Sequence, residues 1–402
     1  MKFPAPAPAA AWWSLDPKIC FLNHGSFGAT PKALLQKQQA YRDQMEAEPV
    51  RFMVRELEEL LWQSKTRLGK FMGTAPEDLV FVPNATTGVN TVLSSMQWEP
   101  GDAVLTTNHA YGACYNALEF FARQKKLEFQ VADVPYPISQ EDEVTDAILG
   151  ACTPKTRLAM IDHITSATGI VFPIQKIVRA LQARGIQVLV DGAHTPGMLP
   201  VQLDELGADY FTGNCHKWIC SPKGSAFLQV RKDRQELVRP MGVSHTYDEP
   251  VPAARLWSSH FMWPGTGDFT AYLTVADAIH YFEQQVEGGW AALQQRSHTL
   301  CLEARQMLSR RTGYSLPAPE HMIAQLSNLA LGETSLPPYG FNYIHPVQEI
   351  LFRRYGIEVP VFLWNKAAPR LWLRISVQLY NSMEQYEYLA NALCELKAAG
   401  EI

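Results

Sequence analysis

The chain has 402 residues, a formal net charge of −5, and 47% hydrophobic against 19% charged residues. That is ample for a large core in two or three domains of an ordinary soluble protein. The negative balance and the absence of basic runs argue against nucleic acid or an anionic membrane as partner. No stretch approaches the roughly 18 apolar residues a membrane span requires. Residues 1–17, rich in Pro and Ala with a single Lys, read as a loose N-terminal arm and not as a signal peptide. The seven cysteines (20, 114, 152, 215, 220, 301, 394) are odd in number and scattered. Only Cys215 and Cys220 are close, with no second pair to complete a zinc site, so no metal is expected. Reduced thiols in a cytoplasm is the economical reading.

In chain order, the apolar run Ile19–Leu22 leads into a Gly-rich turn, Asn23-His24-Gly25-Ser26-Phe27-Gly28. Thr30-Pro31 then reads as N-cap and first residue of a helix to about Met45. A second amphipathic helix spans about Arg51 to Met72. A strand at 79–83 stops at Asn84-Ala85-Thr86-Thr87-Gly88, which opens another helix. Such a turn presents free N–H groups and a positive dipole end to an anion, although a plain N-cap explains it equally well. Strand 103–107 ends in Asn108-His109-Ala110-Tyr111. A strand at 127–134, a helix near 144–152 and a strand at 156–161 follow, the last leading into Asp162 through Gly169. After a helix at about 174–184 come strand 188–190, stopped by Asp191, and strand 208–213, stopped by Asn214-Cys215-His216-Lys217. Strand 225–230 closes a series that predicts a mostly parallel seven-stranded sheet with helices on both faces. From 231 to 264 the chain is irregular, aromatic and His-rich, then reaches Gly265-Thr266-Gly267-Asp268. A long helix from about Tyr272 to Phe282 connects to a second domain. There, helical stretches near 291–308, 347–355 and 383–398 frame two short strands, one of them 371–376.

The chemistry concentrates in residues 187–224. Two buried strands deliver ionisable groups at their carboxyl ends, where open α/β sheets build their ligand crevice: Asp191 with His194, and His216 with Lys217. A lysine in a dry pocket has a depressed pKa and forms Schiff bases. A carboxylate facing the ring nitrogen of pyridoxal phosphate (PLP) keeps that nitrogen protonated, so the ring accepts electrons from a substrate Cα. Alone, Asp191 reads as a helix cap and Lys217 as a solvated strand end; on consecutive strands, flanked by two histidines, they read as a cofactor pair. Arg374 interrupts an apolar strand, and a buried arginine needs an anionic partner, which its fork suits if that partner is a carboxylate.

These residues resemble a known family. DGAH (191–194), a strand ending in HK (216–217) and a Gly-containing turn are similar to the class V aminotransferases, which are fold-type I PLP-dependent enzymes. FLNHGSFGATP (21–31) and DHITSATGIVFPI (162–174) are most similar to the isopenicillin N epimerase-like members. The resemblance covers about Phe21 to the C-terminus. It implies an N-terminal arm (1–20), a large PLP-binding domain (21–275) and a smaller C-terminal α+β domain (276–402), against which the N-terminal segment is free to pack. It implies Lys217 and Asp191 as catalytic residues. It assigns the phosphate to Thr86, Thr87 and adjacent amides including Ala85, with Asn214 and His216 also at the cofactor and either His109 or Tyr111 stacked on its ring. Where many relatives carry Asn this chain has Ser166, so that contact to the cofactor passes to a shorter hydroxyl or to His194. The resemblance places Asn23, His24 and Gly25 at the substrate pocket and Arg374 on the substrate carboxylate. It also has Thr266 reaching a neighbouring subunit's phosphate, hence a homodimer.

The implied partner is a small-molecule substrate, an L-amino acid deprotonated at Cα by Lys217. Epimerisation or racemisation, β-elimination by a C–S lyase, and transamination are the three outcomes, with epimerisation placed first on whole-chain similarity. A two-base epimerase needs an acid on the face opposite Lys217, for which Tyr111, His109 and His24 stand as candidates. Residues 356–365 contain no cysteine, which speaks against persulfide transfer by a cysteine desulfurase. A PLP-fold protein that binds without turnover, and a phosphate-binding protein without PLP, are the remaining alternatives.

Overall fold

The structure, a computed structural model, describes residues 2–247, 255–333, 344–364 and 370–402. Part of the irregular stretch (248–254) and Asn365, the last residue of the cysteine-free region, therefore lie outside the described residues. In chain order the strands are β1 (Cys20–Phe21), β2 (Leu79–Val82), β3 (Ala103–Thr107), β4 (Glu128–Ala132), β5 (Thr156–Asp162) and β6 (Gln187–Asp191). They continue with β7 (Tyr210–Asn214), β8 (Ala226–Val230), β9 (Leu326–Glu333), β10 (Ile357–Glu358), β11 (Val361–Trp364) and β12 (Arg370–Ser376).

Seven of them form one sheet in the order β2-β8-β7-β6-β5-β3-β4. Only β8 runs antiparallel to its neighbours. The central strands β5, β6 and β7 are buried almost throughout. Their Leu, Val, Met, Tyr and Phe side chains alternate between two cores, one under each face of the sheet. Burial on both faces is what a parallel sheet flanked by helices requires. A smaller C-terminal domain holds a second, antiparallel sheet, β11-β12-β9. The helices Gly289–Thr312 and Met383–Ala398 belong to this part of the chain.

Three local expectations are corrected. The N-terminal arm is not loose: Trp13 is 3% exposed, its indole donates to the Ala29 carbonyl, and Ala7 N–H bonds the Tyr380 carbonyl. Burial of the indole and these hydrogen bonds offset part of the entropy lost in ordering the Pro/Ala tether. Thr30 is not an N-cap, because its hydroxyl donates to the Ser221 carbonyl 3.2 Å away and the helix begins at Lys32. The second helix opens with a π-helical turn at Phe52–Glu56 before the regular span Leu57–Met72. Among the described residues no helix is long and apolar enough to cross a membrane.

Candidate active site

Strands β5, β6 and β7 are hydrogen-bonded neighbours and end level with one another, so their carboxyl ends deliver Asp162, Asp191 and, three residues beyond Asn214, Lys217 to one crevice. Lys217 is 8% exposed, and its Nζ lies 3.0 Å from Nε2 of His194. Burial, reinforced by the Arg374 guanidinium, lowers its pKa to about 8. Both effects penalise the ammonium form.

Asp191 is 2% exposed. Its Oδ1 accepts the Ala193 N–H at 3.1 Å, while Oδ2 has no hydrogen-bond partner among the described residues. Burial pushes this carboxyl above the usual range. Asp162, in register beside it, is raised by burial and then by Asp191, and accepts the Tyr111 backbone N–H. Sequence reasoning left Asp162 out, although the signal was there: an apolar strand stopped by a carboxylate, as at Asp191.

The helix Ala85–Ser95 starts at the same edge. The Asn84 side chain accepts the Thr87 N–H at 2.8 Å, and Asn214 Oδ1 accepts the Ala85 N–H at 2.9 Å. Two expected ligands are corrected by this geometry. The Ala85 amide is already engaged, and Asn214 acts by tying β7 to the helix start. The Thr86 amide is left as the unengaged N–H of this turn among the described residues. The Thr87 hydroxyl bonds back to Asn84. His216 donates through Nδ1 to the Ser225 carbonyl at 2.8 Å, so the neutral ring turns an acceptor, Nε2, the other way.

The two ring candidates separate. His109 is fully buried, with Nε2 donating to the Val134 carbonyl, Nδ1 accepting from Thr168, and Tyr136 and Phe172 packed edge-on. It has no ring nitrogen left for the site. Tyr111 is 46% exposed, at the start of the helix Gly112–Lys125, and senses the charge of Asp191.

His24 is likewise not at the pocket mouth. It is fully buried behind the lysine, donating from Nε2 to the Lys217 carbonyl at 3.0 Å and accepting at Nδ1 from the Tyr380 hydroxyl at 2.8 Å. Burial lowers its pKa to about 3. Asn23 is held by Glu358 and Ser26. Gly25 does face the site: a Cβ there would lie 3.4 Å from Arg374 Nη2 and 2.8 Å from Leu326 Cδ2.

Arg374, on β12, is 5% exposed. Its Nη1 donates to the Ser166 carbonyl and its Nη2 to Ser26 Oγ at 3.3 Å, while Nε is unpartnered. No carboxylate pairs with it among the described residues, and burial lowers its pKa to about 10. The internal salt bridge that explains most buried arginines is missing, which leaves a desolvated cation awaiting an anion. Ser166 Oγ sits 3.4 Å from His194 Nε2. Thr266 is exposed in the segment before the helix Thr270–Gln285.

This constellation fits a pyridine aldehyde phosphate. An amine of depressed pKa lies beside a buried carboxylate whose free oxygen lacks a donor, and a helix start with an open amide lies at the same edge. That defines a PLP-dependent enzyme of fold type I. The chain matches the profile described as aminotransferase class-V over residues 21–389, and it belongs to that family. It is 33% identical to isopenicillin N epimerase of Streptomyces clavuligerus over 389 residues, covering 94% of this chain and 95% of the relative. It is 27% identical to an L-cysteine desulfhydrase of Arabidopsis thaliana, covering 94% and 88%. Among solved structures, a mutant of C-DES with glycine covalently linked to its PLP cofactor aligns with a TM-score of 0.78 at 22% identity, covering 96% and 99%. The cysteine desulfurase of Thermococcus onnurineus aligns at 0.79 and 18% identity, covering 99% of each chain. Pyridoxal 5'-phosphate is the cofactor this family membership and these neighbours support. The expectation that cysteine desulfurase chemistry is unlikely finds no support among them.

Proposed function

We propose that the protein acts at the Cα of an L-amino acid with Lys217 as its one proton-transfer base, and that the outcome is β-elimination of a sulfur-bearing side chain. PLP, when bound, supplies the aldehyde that the lysine and the substrate amine address, and a ring that acidifies the Cα proton. Asp191 Oδ2 would receive the ring N–H, Tyr111 would cover the ring, and the open Thr86 amide at the helix start would meet the phosphate; Thr87, whose N–H and hydroxyl both go to Asn84, and His216, which turns an acceptor outward, would not donate to it. Arg374 takes the substrate carboxylate with Nε and whatever hydrogen bonds it exchanges from Ser166 and Ser26. Lys217 Nζ, with a pKa of about 8, accepts the Cα proton in its neutral form.

The observation that carries the single-base reading is the engagement of both His24 nitrogens and both His109 nitrogens away from the site. That engagement speaks against two of the three candidates for a second acid and supports placing lyase ahead of epimerase. The desulfhydrase relatives bear on the same side. Epimerisation stays as the second reading through Tyr111, which is 46% exposed and feels the charge of Asp191, and the epimerase relatives favour it. The test is product analysis with L-cysteine, L-cystine and apolar L-amino acids. Pyruvate and ammonia are expected; accumulation of the D-isomer without pyruvate, lost in Tyr111→Phe, would replace this reading by the second. The proposal extends to a homodimer in which Thr266 meets the partner's phosphate site.

A further inference from the structure

We propose that Trp218 is a positioning residue that locks His194 in its Nε2–H tautomer, so that the imidazole presents a donor to the amine of Lys217. The inference rests on Lys217 being the PLP lysine. The Trp218 indole N–H lies 3.2 Å from Nδ1 of His194, and both side chains are 1% exposed. An indole N–H only donates, so Nδ1 must be the lone-pair nitrogen. The ring is neutral, because burial and the nearby Lys217 and Arg374 charges hold its pKa well below the ordinary value. The single ring proton is therefore on Nε2.

That nitrogen faces Lys217 Nζ at 3.0 Å and Ser166 Oγ at the longer 3.4 Å. An ammonium offers three donors and no acceptor. Against an Nε2–H it makes a donor-to-donor contact, whereas the neutral amine supplies the lone pair that the N–H needs. The tautomer thus selects the free amine, the form that adds to an aldehyde. Around the same nitrogen, Asp191, Cys114 and Asp162 favour the ammonium and Arg374 opposes it. His24 and His216, the other rings that sense this charge, are held neutral by burial.

Trp218 is itself fixed. Ile164, Met198, Ala324 and Leu326 enclose it, and the His24 ring lies 4.9 Å away. At Gly197 (φ +88°) a Cβ would come within 2.6 Å of the Trp218 carbonyl carbon, so the loop after His194 lies directly on this residue.

The test is Trp218→Phe, which keeps an aromatic ring and deletes the N–H. Full-length protein stripped of cofactor is mixed with PLP across the neutral and alkaline range, and the rate of the visible absorbance change is recorded. Without the indole donor His194 is free to carry its proton on Nδ1 and accept from the lysine ammonium at Nε2. The pH midpoint of capture is then expected to rise by about one unit, the size of one charge-assisted hydrogen bond. An unchanged midpoint in a variant with unaltered circular dichroism overturns the proposal. Should W218F not fold, ¹⁵N shifts of His194 in the unsubstituted protein decide instead: a proton on Nε2 is expected, and a proton on Nδ1 overturns it. Neither readout involves turnover, so a missing lyase product would count against the reaction alone.

Discussion

At the residue scale, the lysine and the arginine carry opposite burdens. Lys217 is buried with its pKa moved from 10.5 to about 8. Between those values the unfolded chain binds a proton that the folded chain does not, so this group's penalty on stability is full below pH 8 and fades as pH rises. Lys217→Met should stabilise the cofactor-free protein at neutral pH by on the order of 2–3 kcal/mol. The gain should vanish in alkaline solution, as thermal melts at several pH values would show. For the same reason, the rate of Cα deprotonation should climb with pH and level off above about pH 8. Arg374→Lys keeps charge but loses the fork. A rise in KM of roughly 10–100-fold, with less effect on kcat, is the expected kinetic signature of a carboxylate clamp; equal KM values would remove Arg374 from the substrate.

At the element scale, the helix Ala85–Ser95 and the turn at Gly28 hold the crevice together. Asn84→Ala removes the cap on Thr87 and should cost about 1 kcal/mol of stability together with PLP affinity, read by urea titration and by absorbance titration. Gly28 has φ +71°, and a Cβ there would lie 2.1 Å from the His216 carbonyl oxygen, so the turn is laid against the residue before Lys217. The sheet was legible because its strands are apolar runs that stop at ionisable or Gly-rich residues, which is why the strands ending at Asp191 and just before Lys217 could be located. β9 was left unassigned, because Leu326–Glu333 mixes small polar residues with aliphatics; Ser327 and Asn328 are buried in it. The site was legible where chemistry is local and illegible where it depends on distant partners. His24 in a Gly-rich turn resembles a substrate ligand until Tyr380, 356 residues away, is seen to hold it. Ala85 looked free until Asn214 was seen to take its amide.

At the scale of the whole molecule, one surface asks for a partner. A cavity of about 270 Å³ beside Thr87 is lined by Trp62, Phe81, Met241, Phe261 and Tyr272. Near it Met241, Val243 and Leu256 are 62%, 64% and 44% exposed. Exposed apolar residues in such a group mark an interaction surface, and a second copy of the chain would bring Thr266 toward the phosphate end. Sedimentation should give twice the 45.1 kDa chain mass, and Thr266→Ala should weaken PLP binding without changing the spectrum of the saturated protein. A monomeric protein with full PLP affinity would remove Thr266 from the site. The proposed function requires one covalent bond, between Lys217 and the cofactor aldehyde. The direct measurement is borohydride reduction of the purified protein, followed by peptide mapping of the pyridoxyl label. A yellow protein, bleached by borohydride, with the label on Lys217 is expected. A label on another lysine, or a protein left colourless and unlabelled after incubation with PLP, would contradict it.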